Sequence, residues 1–381
     1  METPLKHFAE LKDPRLPRTR RHLLTDIVLI AIAAILSGAE GWDEMERYGQ
    51  AKREWLKSFL ALPHGIPSHD TFNRVFQVLE PAELEKHFLD WVSAIAQRTQ
   101  GEVVAIDGKS LCGTRTSDGK SLVHMVSAWA SANNLVLGQR KTDAKSNEIT
   151  AIPELLRVLE LSGTTVTIDA MGCQKQIARQ IIEQKGDYVL AVKENQPSLL
   201  ADLKDSFKML PAVDVDEQID GGHGRVETRR CSVLADLGLI DNAQNWASLR
   251  SLVRIEATRY QKAGVPTDRS SSVGWKATGK QEHETRYYIA SLEPDAVRLN
   301  AAIRQHWGIE NKLHWVLDVT FGEDQSRKRA GNAAQNFSML NRIALNLIRK
   351  DKSTKGSIRG KRMQAAWDDA FLWQLLAEGK S

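Results

Sequence analysis

The sequence has little of what marks the specialised classes of protein. Only three cysteines occur in 381 residues, Cys112, Cys173 and Cys231, odd in number and widely spaced. No pair has metal-ligand spacing, which excludes a zinc site or a disulfide framework as the organising feature and leads us to expect a reducing, cytosolic compartment. No apolar run suits a bilayer. The best candidate, Ile27 to Ala39, covers 13 residues, against the roughly 20 a spanning helix needs. Arg18, Arg20 and Arg21 precede that run and imitate a secretory signal, but the stretch before them is long, carries three prolines and is partly acidic. An Ala-rich helix buried in a core explains it better, and no membrane partner is expected. Internal repeats are absent, which excludes a solenoid. A strong charge of one sign is absent too: 52 Lys and Arg face 48 Asp and Glu, a net +4, so composition alone does not announce a nucleic-acid binder.

What is present is an ordinary globular composition, 42% hydrophobic and 26% charged, in a chain long enough for two or three domains. Charge is unevenly placed. From Ser326 to Arg362 there are eleven Lys or Arg, beginning with Arg327, Lys328 and Arg329, and one acid, Asp351. Apolar residues at helical spacing run through the same stretch, so it reads as a basic helix face for a polyanion rather than a disordered tail.

Residues 1–98 read as a helical domain. Asp26 is placed to cap a helix over 27–37, a second helix covers about 42–60, Ser68 caps a third over 69–79, and Pro81 opens a fourth. Two helices joined by a short Pro/Gly turn allow a helix-turn-helix, so this domain is a candidate for DNA binding. At Gly101 the period changes to that of strands. Val103–Ile106, 123–131, 135–142, 164–168 and 187–193 read as strands and 148–160 and 174–185 as helices, giving the order β-β-β-α-β-α-β over 99–193. Residues 194–298 read as a β-rich insertion, with strand runs at 226–234, 250–259 and 285–292. The helical period returns over 299–350, and 351–381 form a basic linker and a last helix.

Three acids stand out. Asp107 and Asp169 each follow a buried strand run, where sites collect in α/β sheets. Glu310 falls on a stripe with Ile303, His306, Trp307, Leu313, His314 and Leu317, spaced by threes and fours. A carboxylate in the middle of such a face needs a partner. A core ion pair with an arginine and a metal shared with Asp107 and Asp169 both satisfy it. Three carboxylates suit Mg²⁺ or Mn²⁺, two of which can activate one oxygen and stabilise another in phosphodiester chemistry. Glu323 and Asp324 are lesser candidates for the third position.

These residues, in this order, resemble the ribonuclease-H-like core of DDE transposases. The spacings are 62 residues from Asp107 to Asp169 and 141 from Asp169 to Glu310, and an insertion before the glutamate is similar to that of insertion-sequence transposases with a long second spacing. The matching stretches are Ala105 to Lys109, Ile168 to Gln174, Ala191 to Gln196, His223 to Arg229 and His306 to Phe321. They resemble the ISAs-type, or H-repeat-associated, branch, and residues 1–90 resemble its helical domain. The resemblance implies a mixed α/β fold with Asp107, Asp169 and Glu310 as ligands of two Mg²⁺ or Mn²⁺ ions. It implies cleavage of double-stranded DNA at the element's terminal repeats, then attack of the freed 3′-hydroxyl on target DNA. A homodimer on DNA, associated with the nucleoid, is expected. A stand-alone nuclease and an inactive DNA-binding regulator on the same core are the alternatives.

The match is incomplete around Glu310. Related families carry tyrosine seven before it, arginine four before and lysine seven after; here these are Ile303, His306 and Leu317, with Arg304, Lys312 and His314 as neighbouring basic replacements. Lys109, Lys193 and Arg225 flank the motifs and are expected to contact phosphates. Trp307, one turn before Glu310, is placed either to stack a displaced base or to pack on the sheet.

Overall fold

The computed structural model describes residues 4–96, 101–115, 123–142, 148–222, 225–261 and 281–377. The fold is mixed α/β, and its chain divides into two compact units, Met1–Glu160 with Trp307–Ser381, and Leu161–His306.

The first unit is built around two long apolar helices. Leu24–Leu36 is buried along nearly its whole length, and Ala333–Lys350 packs across it. The apolar run at 27–39 is thus core, and no helix among the described residues is long and apolar enough to cross a membrane. Asp26 is not the cap that the sequence suggests. The helix begins two residues earlier, at Leu24, and the Asp26 carboxylate instead accepts from the backbone N–H of Leu62 at 2.9 Å. Ser68 does cap its helix, His69–Val78, accepting from Thr71 N. Pro81 opens Pro81–Ile95, its missing N–H costing nothing at the first turn. Expected helix 42–60 is broken at Lys52 into Trp42–Ala51 and Arg53–Leu56.

Three antiparallel strands complete this unit: β1 (Val103–Ser110), β2 (His124–Ala130) and β3 (Leu135–Lys141), with β1 paired to β2 and β2 to β3. The strand expected to stop at Asp107 continues through Gly108-Lys109-Ser110, so Asp107 lies inside β1, opposite Ser127. A Cβ at Gly108 would stand 2.0 Å from Glu148 Oε1 and 2.6 Å from His124 Nε2, so a larger residue there would have to displace this 2.8 Å side-chain contact.

In the second unit β4 (Thr165–Ile168) and β5 (Asp187–Val192) are parallel, and β5 continues through antiparallel pairings to β9 (Gln281–Ala290), β8 (Ser251–Gln261), β7 (Arg225–Leu234) and β6 (Asp214–Gly222). The strand runs read at 226–234, 250–259 and 285–292 are β7, β8 and β9. Two elements went unread, β6 and the helix Pro197–Met209. β6, Asp-Val-Asp-Glu-Gln-Ile-Asp-Gly-Gly, alternates but its partners are acids, which are poor strand formers. They have work on the fold: Asp214 accepts from Ala296 N at 2.7 Å at the start of helix Ala296–His306, and Asp216 accepts from Asn300, which in turn accepts from buried Arg229 at 2.7 Å.

The basic segment 326–362 is not one solvated face. Arg342 is fully buried against Glu323, Lys361 bonds Asp351, and Arg362 is buried with its guanidinium on the carbonyls of Ile35 and Thr320. Arg349 lies 4.6 Å over the Trp129 ring. Helix ends supply carbonyls that a buried guanidinium can satisfy, so these arginines bind helices together. Arg327, Arg329, Lys352, Lys355 and Arg359 remain exposed.

Candidate active site

Asp107 projects from β1 with its side chain 17% exposed, and His314 Nδ1 approaches its Oδ2 to 3.5 Å. His314 ends a wide turn, Ile309–His314, in which the helical hydrogen bonds span five residues rather than four. Such π-turns insert a residue into a helix and are common at functional sites. This one packs on β1. Ile309 and Leu313 are fully buried and hold it down, whereas Glu310, Asn311 and Lys312 are exposed. The sequence stripe therefore fails at its centre. The helix breaks at Trp307 and widens after it, which moves the buried face from the expected Glu310 to Ile309 and presents the carboxylate outward. Glu310 is thus exposed rather than part of the packed core.

Asp169, in the other unit, follows β4 and caps a short 3₁₀ turn, Ala170–Gly172, accepting from Met171 N at 3.1 Å. The loop after β5 grips this turn: Asn195 Nδ2 donates to the Ala170 carbonyl, and Gln196 Nε2 to the Cys173 carbonyl at 2.9 Å. Neither amide was singled out from sequence, although two adjacent amides ending a buried strand were a signal for backbone capture. Cys173 is buried, and burial aided by the Asp169 charge pushes its thiol up to about 12, so it stays protonated and unreactive.

His306, the residue four before Glu310, closes helix Ala296–His306, and its Nδ1 lies 3.0 Å from Thr167 Oγ1 on β4. It ties the helix to the strand that leads into Asp169 rather than facing a phosphate. Burial pushes its pKa down to about 4. In the unfolded chain the imidazole takes its proton near 6.5, so between these values the unfolded state binds more protons and acid favours it. We expect the intact protein to lose about 3 kcal/mol more stability than a His306→Gln variant as pH falls from 6.5 to 4. Thermal unfolding of both across that range checks this, and equal pH profiles would refute it.

Among the basic residues, Lys109, expected to contact a phosphate, is placed among carboxylates. Lys109 is 8% exposed, and its ammonium lies 2.6 Å from Asp318 and 2.7 Å from Asp324. Burial lowers its pKa, but these carboxylates and Glu323 more than offset that and leave it raised. Lys328 is also withdrawn, 3.6 Å over the Phe337 ring and donating to the Glu40 carbonyl; burial pushes it down to about 8. Arg304 pairs with Asp220, Lys312 donates to Asn134 at 3.0 Å, and Arg329 holds the Gly113 carbonyl. Lys193 and Arg327 are exposed. Arg225 begins β7, but its side chain, like residues 223 and 224 of the same motif, lies outside the described residues. Trp307 is half-buried; the aromatic that the helix exposes is Trp315, at 58%.

The competing acids are accounted for. Glu323 is 2% exposed and pinned by Arg342 at 2.8 Å, and Asp324 is shared by Lys109 and the Cys112 N–H. Among the described residues, no group of three or more His, Cys, Asp and Glu side chains is placed to hold a metal. The donor chemistry still fits a hard cation, since Mg²⁺ takes one or two carboxylates and completes its shell with water and substrate phosphate oxygens.

Comparison with known proteins shows the family. Residues 98–347 match the family described as Transposase DDE domain, and residues 5–92 the one described as DDE_Tnp_1-associated. The chain is 39% identical over 388 residues to "Putative transposase YncI" of Escherichia coli O157:H7, covering 99% of this chain and 95% of that protein. It is 39% identical over 383 residues to "H repeat-associated putative transposase YhhI" of Escherichia coli strain K12, covering 98% and 97%. Among solved structures it is similar to a piggyBac transposase synaptic complex with hairpin DNA, at 13% identity and a TM-score of 0.43 over all of this chain and 79% of that one, a likeness too slight to carry an argument.

Proposed function

The chain belongs to the DDE-domain transposase family and is thus a DNA-cleaving, strand-transferring enzyme; from that premise we propose that Asp107, Asp169 and Glu310 are its catalytic acids, on a ribonuclease-H-like core, acting at the two ends of an insertion element. The observation that carries this is the presentation of Glu310. A glutamate whose neighbours Ile309 and Leu313 are buried is turned outward by a π-turn that packs on the strand of Asp107.

The three carboxylates would hold two Mg²⁺ or Mn²⁺ ions. When bound, such ions acidify an attacking oxygen and stabilise the leaving one. The chain's own part is to place acids. β1 fixes Asp107 through its pairing with β2, the 3₁₀ turn and the Asn195 and Gln196 amides fix Asp169, and Ile309 and Leu313 anchor Glu310. Cleavage consumes one water and one phosphodiester bond and releases a 3′-hydroxyl and a 5′-phosphate. Joining forms one phosphodiester as another breaks, so no external energy source is needed. Lys193, Arg304, Lys312, Arg327, Arg329 and Trp307 are proposed DNA contacts, with the exposed Trp315 added. The sequence segments 1–98, 99–193, 194–298, 299–350 and 351–381 stand as proposed domain bounds, and pairing two ends calls for at least two protomers on DNA.

The test is cleavage and joining of a labelled duplex carrying the element's own ends, with metal stripped by chelation and then restored. Nicking and strand transfer are expected only with Mg²⁺ or Mn²⁺, falling about 10³-fold or more without it. Binding without cutting would favour an inactive regulator, and cutting without joining a stand-alone nuclease.

A further inference from the structure

Two side-chain contacts join β1 to the segment after Glu310. Asp107 meets His314 at 3.5 Å, and Lys109 meets Asp318 at 2.6 Å. The spacing is matched. Two residues along a strand advance about 6.6 Å, and residues 107 and 109 share a face. Four residues along a helix advance about 6 Å, and 314 and 318 share a face. Strand and helix are thus laced side by side at two consecutive positions. Asp324, on the turn that follows the helix Trp315–Phe321, adds a second carboxylate to Lys109 at 2.7 Å and accepts from Cys112 N just beyond β1.

The charge balance of this cluster argues against a DNA contact. One ammonium and two carboxylates sum to −1, which repels a phosphate rather than attracting it. The ammonium is also 8% exposed, so a phosphate would have to displace a carboxylate to reach it.

We propose that Lys109, with Asp318 and Asp324, is a positioning clamp that holds the helix carrying Glu310 in register with the strand carrying Asp107, and that Lys109 does not touch DNA. The proposal rests on the reading of Asp107 and Glu310 as catalytic acids. Glu310 emerges from a π-turn, which has poorer hydrogen-bond geometry than an α-helix and needs support from outside. The clamp supplies it from the C-terminal side, where Leu317 and Phe321 are buried. A shift of one register position would carry Glu310 away from Asp107 while leaving the core of the unit intact.

The experiment compares intact protein with Lys109→Met, Lys109→Arg, Asp318→Asn and the double variant Lys109→Met/Asp318→Asn. Four quantities are read: cleavage rate at saturating end-containing DNA, DNA affinity against salt, Mn²⁺ binding by electron paramagnetic resonance, and amide hydrogen exchange over 309–321. For Lys109→Met we expect cleavage at least ten-fold slower, weaker Mn²⁺ binding and faster exchange over 309–321, with DNA affinity and its salt slope unchanged. Asp318→Asn should do the same, the double variant no worse than either single one, and Lys109→Arg should recover most of the rate. A ten-fold loss of DNA affinity in Lys109→Met with a salt slope smaller by about 1 would mark a phosphate contact and overturn the proposal. So would an unchanged cleavage rate. If intact protein cut no DNA, the transposase reading would fall, while hydrogen exchange over 309–321 would still judge the clamp. Should Lys109→Met fail to fold, Asp318→Asn and Lys109→Arg carry the same comparison.

Discussion

Replacing Glu310 by glutamine is expected to lower strand cleavage about 10³-fold or more while leaving both folding and DNA binding nearly unchanged. The first half follows from the role proposed for it: a carboxylate that holds a metal at the developing charge is worth several kcal/mol in the transition state, and each 1.4 kcal/mol is a factor of ten. The second half follows from where it sits. Glu310 is exposed, and the anchoring of its turn belongs to Ile309 and Leu313. Exposed substitutions commonly change stability by about 0.5 kcal/mol or less, and thermal unfolding of the variant beside its cleavage assay separates lost chemistry from lost fold. Asp107→Asn and Asp169→Asn should show the same loss of cleavage. Asp169→Asn carries a small stability cost as well, because its carboxylate caps the turn Ala170–Gly172. The contrast that decides the third ligand is with Asp324→Asn. That variant should slow cleavage by far less, through the clamp alone, since Asp324 is bound to Lys109 and the Cys112 N–H. Single-turnover cleavage of a labelled end, with binding measured in the same buffer, separates the cases. A Glu310→Gln protein that still cuts would move the third acid elsewhere.

Much of this was legible in the sequence, and the limits have physical causes. Strand runs of β-branched residues located β1, β4 and β5, because buried strands must be apolar throughout. The acids at 107 and 169 followed from the awkwardness of a carboxylate beside such runs. Glu310 was singled out on a placement that the structure corrects. A uniform 3.6-residue period put it on the packed face, yet a single inserted residue in Ile309–His314 rotates the face, and no periodicity argument detects one residue. The basic segment misled for a related reason. Sequence gives the sign of a charge but not the direction of its side chain, and Arg342, Arg349, Lys361 and Arg362 point inward to carbonyls, carboxylates or rings supplied from distant elements. Lys109 looked like a phosphate ligand because it is two residues from Asp107. The carboxylates it meets in the structure, Asp318 and Asp324, lie more than 200 positions away.

Arg342→Met is expected to destabilise the protein by about 3–5 kcal/mol, the largest folding effect of any single substitution considered. Arg342 is fully buried, and its Nη1 donates to Glu323 Oε1 at 2.8 Å, with Ser338 completing the group and Ser127 Oγ at 3.4 Å from Nη2. Removing the guanidinium leaves the Glu323 carboxylate, 2% exposed, without its direct ion-pair partner in a medium that screens poorly. The cost therefore comes from the group left behind rather than from the bond lost. Removing both charges tests that account. Arg342→Met with Glu323→Leu discards the buried pair entirely and should recover most of the lost stability, because exchanging a buried ion pair for apolar side chains of similar volume is often neutral. Thermal unfolding of the two single variants and the double variant measures the coupling, and additive losses would show that each residue acts through packing alone. The pair also bears on catalysis. Ser127 is the cross-strand partner of Asp107 in β1 and β2, and Glu323 sits beside Asp324 of the Lys109 clamp. Below its melting temperature, Arg342→Met should therefore cleave DNA more slowly than its folded fraction predicts, whereas the double variant should keep its fold and show a smaller defect, set by how well apolar packing restores the register of β1.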